Sequence, residues 1–336
     1  MSLVLLQPPL LPRSRDELAM AAPGSAHRRL ALDVVGGASS DALEQLRMLP
    51  ATATGMGFAR CRQVDDKGDV AYKYDSRFRE YDAYFDVIRV DQPYEGVLAH
   101  GLLLAYRSLL EEAGACGTRL SWREWTDLCE GLRAMLAELV GVDLDAERPP
   151  VSVPTVLRGT LDPHRRWRVG HHLFFALTQA LIVALQTLRD ALNKGDDDAS
   201  VHALRLARKL LRASSAAFVF ASEFGPGQYH VAVRPSMEPP HVSAGFTGLH
   251  SPDHHYLVRL FGRVRNDLGS MSPRVAEQHA EFIRALESTY EAHKYVCGRF
   301  GGETGTSLRV SEASALAATQ VIHALKLART KLVRKP

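Results

Sequence analysis

Ser272-Pro-Arg-Val-Ala-Glu-Gln-His-Ala-Glu-Phe-Ile-Arg-Ala-Leu-Glu-Ser-Thr-Tyr-Glu-Ala-His-Lys-Tyr-Val-Cys297 reads as one long helix. Ser272 is an N-cap, and Pro273 takes the first helical position, where a missing N–H costs nothing. Val275, Phe282, Ile283, Leu286, Tyr290, His293 and Cys297 then recur at helical spacing. Gly301-Gly302 breaks the pattern, and Thr304-Gly305-Thr306-Ser307 follows as a polar loop of the kind that meets ligands. His293 and Cys297 stand four apart, which puts them on one helix face with Cβ atoms roughly 5–6 Å apart.

The same period runs outward on both sides. Ser311 caps a last helix, Ala313 to about Leu332, with a basic end that suits the helix dipole. Before the central stretch, Tyr256 to Leu268 is helical, preceded by a loop from about Gly225 to Asp253, of a length that is uncommon unless functional or disordered. Val201 to Phe220 is a helix with Arg205, Arg208, Lys209 and Arg212 on one face, and Gly195 with three aspartates separates it from an apolar helix, Trp167 to about Leu192. Upstream, Ser121 to Glu124 forms a capping box for a helix reaching Val140, and Val97, Leu98, Leu102, Leu103, Tyr106, Leu109 and Leu110 stripe the helix before it. Phe58–Val64 and Asp69–Tyr74 alternate like a β-hairpin around Asp65-Asp66-Lys67-Gly68. Ser40 is placed to cap a short helix, and residues 1–38 read as a flexible arm. The expected fold is mainly α with a small N-terminal β-hairpin. Residues 1–150 form an N-terminal region of arm, hairpin and two helices. Pro149 to Pro163 is the linker, and 151–336 is the helical core.

Composition narrows the function. Of 336 residues, 46% are hydrophobic and 24% charged, as in ordinary globular proteins. The net charge of +3 is spread along the chain rather than massed on one element, which argues against nucleic acid as a partner. No window holds the ~18–20 uninterrupted apolar residues of a membrane span. Met1–Leu11 is broken by prolines and lacks a basic leader, so it does not read as a signal peptide. Four cysteines make no disulfide framework, and a reducing cytoplasm is the simplest compartment.

His293 and Cys297 admit four chemistries. A structural zinc wants four ligands, and no Cys-x-x-Cys or second Cys–His pair exists. A nucleophilic dyad needs the base beside the thiol, whereas adjacent turns point both outward. The c-type heme signature is absent. The fourth is a heme with His293 as axial ligand and Cys297 at the porphyrin edge. Against all four stands plain packing, the usual fate of a free cysteine.

The order of motifs is informative. Val169-Gly-His171-His172 opens a helix. Ser243-Ala-Gly-Phe246 precedes the helix that carries Arg259, and Gly302-Glu-Thr-Gly-Thr-Ser307 follows His293. That order, over about residues 165–325, resembles the tryptophan 2,3-dioxygenase superfamily of histidine-ligated heme aromatic oxygenases. The Ser-Gly-Phe element carries one inserted residue, and the Gly-Thr loop lacks the superfamily's double glycine. His254 and His293 have 38 residues between them, and Cys297 follows after three more. This spacing is similar to the heme-attachment pattern of the heme-dependent 3-methyl-L-tyrosine hydroxylases of saframycin-type antibiotic biosynthesis.

The resemblance implies a dioxygenase-like helical bundle around a heme. It implies iron ligation by His293 and His254, and a single thioether to Cys297. Arg259 would hold the substrate carboxylate and Thr304 and Thr306 its ammonium, while His171 or His172 would occupy the distal acid–base position. His250 and His255 rival His254 as second ligand. The implied reaction is ring hydroxylation of 3-methyl-L-tyrosine, a small aromatic amino acid, to 3-hydroxy-5-methyl-L-tyrosine, with hydrogen peroxide or with dioxygen plus a reductant. A homo-oligomer is compatible with this reading. Another aromatic oxygenase of the superfamily, acting on tyrosine or an indole, and a bis-histidine electron-transfer protein stand as alternatives. His100 reads as a satisfied core histidine, Trp122 and Trp125 as packing, and Arg165–Arg168 as a solvated face.

Overall fold

The computed structural model describes residues 2–21, 23–36, 44, 46–49, 73–90, 96–142, 160–269, 271–301 and 318–334. Ten helices of six or more residues carry most of these. They are α1 (Arg15–Met20), α2 (Ser25–Gly36), α3 (Ser76–Tyr84), α4 (Val97–Cys116) and α5 (Trp122–Val140), then α6 (Pro163–Lys194), α7 (Asp197–Ala221), α8 (Pro252–Asp267), α9 (Pro273–Gly301) and α10 (Ala318–Val333). The capping chemistry behaves as the sequence predicts. Ser121 Oγ accepts from Glu124 N at 3.3 Å while Ser121 N donates to Glu124 Oε2 at 2.8 Å. Asp162 and Asp196 cap α6 and α7, and Gly195, at φ 68, makes the left-handed turn between them.

Helices α6 and α7 pack as a long hairpin at the centre, with α5 and α9 against α7, α4 and α8 against α6, and α10 on α9. Close approach of α6 to the end of α7 requires Gly170, because a Cβ there would fall 2.5 Å from Ala221 Cα. One hydrophobic cluster runs from Leu3 to Val333. By length and composition α6 is apolar enough to cross a membrane, but 89% of its apolar window is buried among other helices, as in a core helix.

The fold is mainly α with a small β element near the N-terminus, as expected, and the described strands form a parallel pair. Strand β1 (Leu3–Leu6) pairs in parallel with β2 (Val87–Val90), in register Leu3 to Val87 and Leu6 to Val90. Residues 58–64 and 69–72 of the expected hairpin lie outside the described residues, as do Ser40 and most of the 149–163 linker. The flexible arm is corrected. Leu3-Val-Leu-Leu is buried on both faces, as uninterrupted apolar strands are. Gly101 of α4 lets that helix lie against the strand, where a Cβ would sit 2.7 Å from Val4 O.

Two further expectations change. The 225–253 loop packs as short helical turns, with Val233, Met237, Val242 and Phe246 buried. Within Arg165–Arg168, Arg166 is fully buried. It pairs with Glu112 at 3.2 Å and with Glu223, and lies 4.2 Å over the Phe220 ring. His100 is a core histidine paired with His27 at 3.0 Å. Trp125 packs in the core, whereas Trp122 is 61% exposed.

Candidate active site

The helical phase of α9 turns Leu286, Tyr290, His293, Cys297 and Phe300 toward one cavity of about 280 Å³. Helix α6 adds Trp167, His171 and Phe174 to its wall, α7 adds Phe218, and α8 adds His254, Leu257 and Phe261. Tyr81, Phe85 and Phe246 close it with further aromatic surface, and Val321, Ile322 and Leu325 of α10 flank it. An apolar cavity with a few convergent polar groups is the usual form of a small-molecule site. A second cavity of about 230 Å³ shares Phe85 and Trp167 as walls and is rimmed by His164, Arg168 and His241.

Three histidines far apart in sequence thus face one space. Burial lowers His171 to about 3, His254 to about 3 and His293 to about 4, so all are neutral near pH 7. The Arg329 charge further disfavours protonation of His254. The His293 ring stacks on Phe218, centroids 4.6 Å apart and 9° between planes, which fixes its orientation. No hydrogen bond ties the ring nitrogens of His254 or His293 to another of the described residues, while both rings line the cavity. Burial pushes the Cys297 thiol up to about 11, so the sulfur is protonated.

The structure also separates His171 from His172. His171 Nδ1 lies 2.8 Å from Trp167 O, so that nitrogen carries the proton and Nε2 is the acceptor. Its ring stacks on Phe85 at 4.3 Å. His172 is buried away from the cavity and donates from Nε2 to Phe85 O at 2.6 Å. It is not a cavity acid–base group. It holds the backbone of the residue that His171 leans on.

His254 sits in the first turn of α8, its backbone N–H donating to Ser251 Oγ at 3.3 Å. Arg259 is placed away from the cavity. Five residues beyond His254 is about 140° round the helix, and Arg259 is exposed and outside the cavity wall. His255 is likewise exposed, and half-buried His250 is not part of that wall. The arginine that does line the cavity is Arg234, whose Nε donates to Glu238 Oε1 at 2.7 Å. Sequence reading missed it because the 225–253 segment showed no period to phase it. Trp167 Nε1 is buried and has no hydrogen-bond partner among the described residues, a donor available to a ligand. Thr304 and Thr306 lie outside the described residues.

Among the described residues, no group of three or more His, Cys, Asp or Glu converges to hold a bare metal ion. Separate neutral imidazoles, a protonated thiol and an aromatic cavity between them fit a heme, which brings four of its own nitrogens to the iron.

Residues 4–278 match the family described as SfmD 3-methyl-L-tyrosine peroxygenase. The chain belongs to that family. The matched span includes His171 and His254 and stops before His293 and Cys297. A 3-methyl-L-tyrosine peroxygenase of Streptomyces lavendulae is 31% identical over 248 residues, 73% of this chain and 67% of the relative. The crystal structure of reduced SfmD, obtained by soaking with sodium hydrosulfite, superposes with a TM-score of 0.65 at 27% identity, over 89% of this chain and 98% of SfmD. Like the rest of the SfmD family, the chain is an oxidoreductase.

Proposed function

We propose that this SfmD-family chain hydroxylates the phenol ring of 3-methyl-L-tyrosine to 3-hydroxy-5-methyl-L-tyrosine in antibiotic biosynthesis, with hydrogen peroxide as oxidant. The balance needs no separate reductant: one peroxide oxygen enters the ring C–H bond and the other leaves as water. The observation that carries this reading is the convergence of His171, His254, His293 and Cys297 on one aromatic cavity in a member of this family.

His293 is assigned as the proximal ligand, its ring locked by Phe218. His254 would be the second ligand and Cys297 the covalent tether of the heme. A bound heme supplies the oxidising power, and the protein supplies binding, orientation and electrostatics. Neutral imidazoles keep their lone pairs for iron, and burial keeps them neutral. His171 Nε2, acceptor by virtue of the Nδ1–H bond to Trp167 O, is the acid–base group for the phenol hydroxyl or the peroxide proton. Arg234 replaces Arg259 as the guanidinium for the amino-acid carboxylate. Phe85, Phe246 and Tyr81 exclude water around the ring. The ligand-bearing residues all lie in the 151–336 core, while 1–150 contributes Tyr81 and Phe85 to the wall.

The test is peroxide-driven turnover of 3-methyl-L-tyrosine beside L-tyrosine and L-tryptophan, with the product identified by mass. Hydroxylation of the methylated substrate is expected, with an intense Soret band in the purified protein. Absence of that band after expression with heme supply, or turnover of none of the three, sinks the proposal.

A further inference from the structure

Five of the hydrogen bonds in the molecule meet on one side chain. Arg89, on β2, donates from Nε and Nη2 to Asp82 at 3.0 and 2.9 Å, and from Nη1 and Nη2 to Asp253 at 2.9 and 2.7 Å. Its fifth donor reaches Leu6 O, the last residue of β1, at 3.1 Å. A guanidinium has five N–H donors, so none is left over. Gln179 of α6 closes the ring, donating to the same Leu6 O at 2.7 Å and to Asp253 Oδ1 at 2.9 Å. Tyr74 donates to Asp82 at 2.6 Å. Asp253 is fully buried, and the Arg89 and Asp82 side chains almost so.

This node lies one residue from His254. Buried ion pairs are poor sources of stability, and well-packed apolar residues often do as well or better. What they specify is geometry. Helix ends fray, and His254 stands in the first turn of α8. A bidentate clamp on Asp253 fixes that turn's height and rotation, where a single hydrogen bond would leave it free to swivel.

We infer that the Arg89 node fixes the angle at which His254 enters the cavity, so that Arg89, Asp253 and Gln179 are positioning residues and the β1–β2 pair is a working part of the site. The inference rests on the assignment of His254 as second heme ligand. It gives the N-terminal region a role: the strand pair carries no cavity residue, but it holds the group that pins the ligand's helix.

The test uses the heme-loaded protein with Arg89→Lys, Asp253→Asn and the milder Gln179→Leu, beside His254→Ala. Leu136→Ala, a core variant in α5 away from the cavity, controls for general loss of stability. The readouts are the visible spectrum, the rate of cyanide association, which requires His254 to leave, and amide hydrogen exchange over residues 251–256. The node variants are expected to associate cyanide about tenfold faster or more, the equivalent of one lost charge-assisted bond, with faster exchange confined to that turn. Gln179→Leu should move both in the same direction by less. If His254→Ala changes the spectrum but the node variants keep wild-type cyanide rates and exchange, the inference is overturned while the ligand assignment stands. An equal rate increase in Leu136→Ala overturns it too. If His254→Ala leaves the spectrum unaltered, the ligand assignment fails first.

Discussion

Replacing His172 by Gln tests how the fold holds His171. His172 is 3% exposed, donates to Phe85 O at 2.6 Å, and is lowered to about 4 by burial. The unfolded chain takes up a proton near pH 6.5, and the folded chain does not until about 4. The contribution of a neutral His172 is therefore complete above pH 6.5 and is lost as pH falls from 6.5 toward 4. That loss is about 1.4 kcal/mol per pH unit, and about 3 kcal/mol across the window. A Gln amide nitrogen stands near the imidazole Nε2 position and can donate to the same carbonyl, but it does not titrate. At pH 7.5 the variant should lose about 1 kcal/mol from imperfect packing. Its stability should then fall less steeply, so that near pH 4.5 it is the more stable protein by about 2 kcal/mol. Urea unfolding midpoints at half-unit steps from pH 7.5 to 4.5 measure both curves. Parallel curves would show that His172 is not held neutral, and the reasoning about its bond to Phe85 would fall with it.

Gly170→Ala should cost about 1–3 kcal/mol or more, read as a lower Tm, because the new methyl meets Ala221 Cβ at 2.2 Å. Arg234→Gln is expected to raise KM for the amino acid about tenfold or more, the size of one charged hydrogen bond, while Arg259→Gln leaves it nearly unchanged; the reverse pattern restores Arg259 as the carboxylate ligand. With Cys297→Ala, acid–acetone should extract heme that the unaltered protein retains, and equal extraction from both would remove the tether.

The helices were legible because each carries its own evidence: a capping residue, an apolar stripe, a glycine stop. The His293–Cys297 face followed from the same arithmetic, and His254 from spacing to it. Arg259 stands on another side of its helix from His254 by the same arithmetic, since five residues is about 140° of turn. Arg234, Phe218 and Phe85 were not legible as site residues, because what makes them so is a neighbour distant in sequence, as His171 and Phe85 or His293 and Phe218 illustrate. Arg166 hid in a basic run for the same reason: its partners Glu112 and Glu223 come from elements on either side. A charged side chain is read as exposed until its counter-charge is known.

The parallel pairing of β1 with β2 carries a consequence for how the protein is made. A parallel pair needs a long crossover, and here 80 residues separate Leu6 from Val87. On a ribosome adding about 5–20 residues per second, Leu3–Leu6 emerges several seconds before its partner strand exists. Gln179 and Asp253, which seal the strand's end, come later still. During that interval a bare apolar strand is an invitation to pair with another chain. The segment that looks most dispensable in the finished enzyme is therefore the one that waits longest for its partners during synthesis.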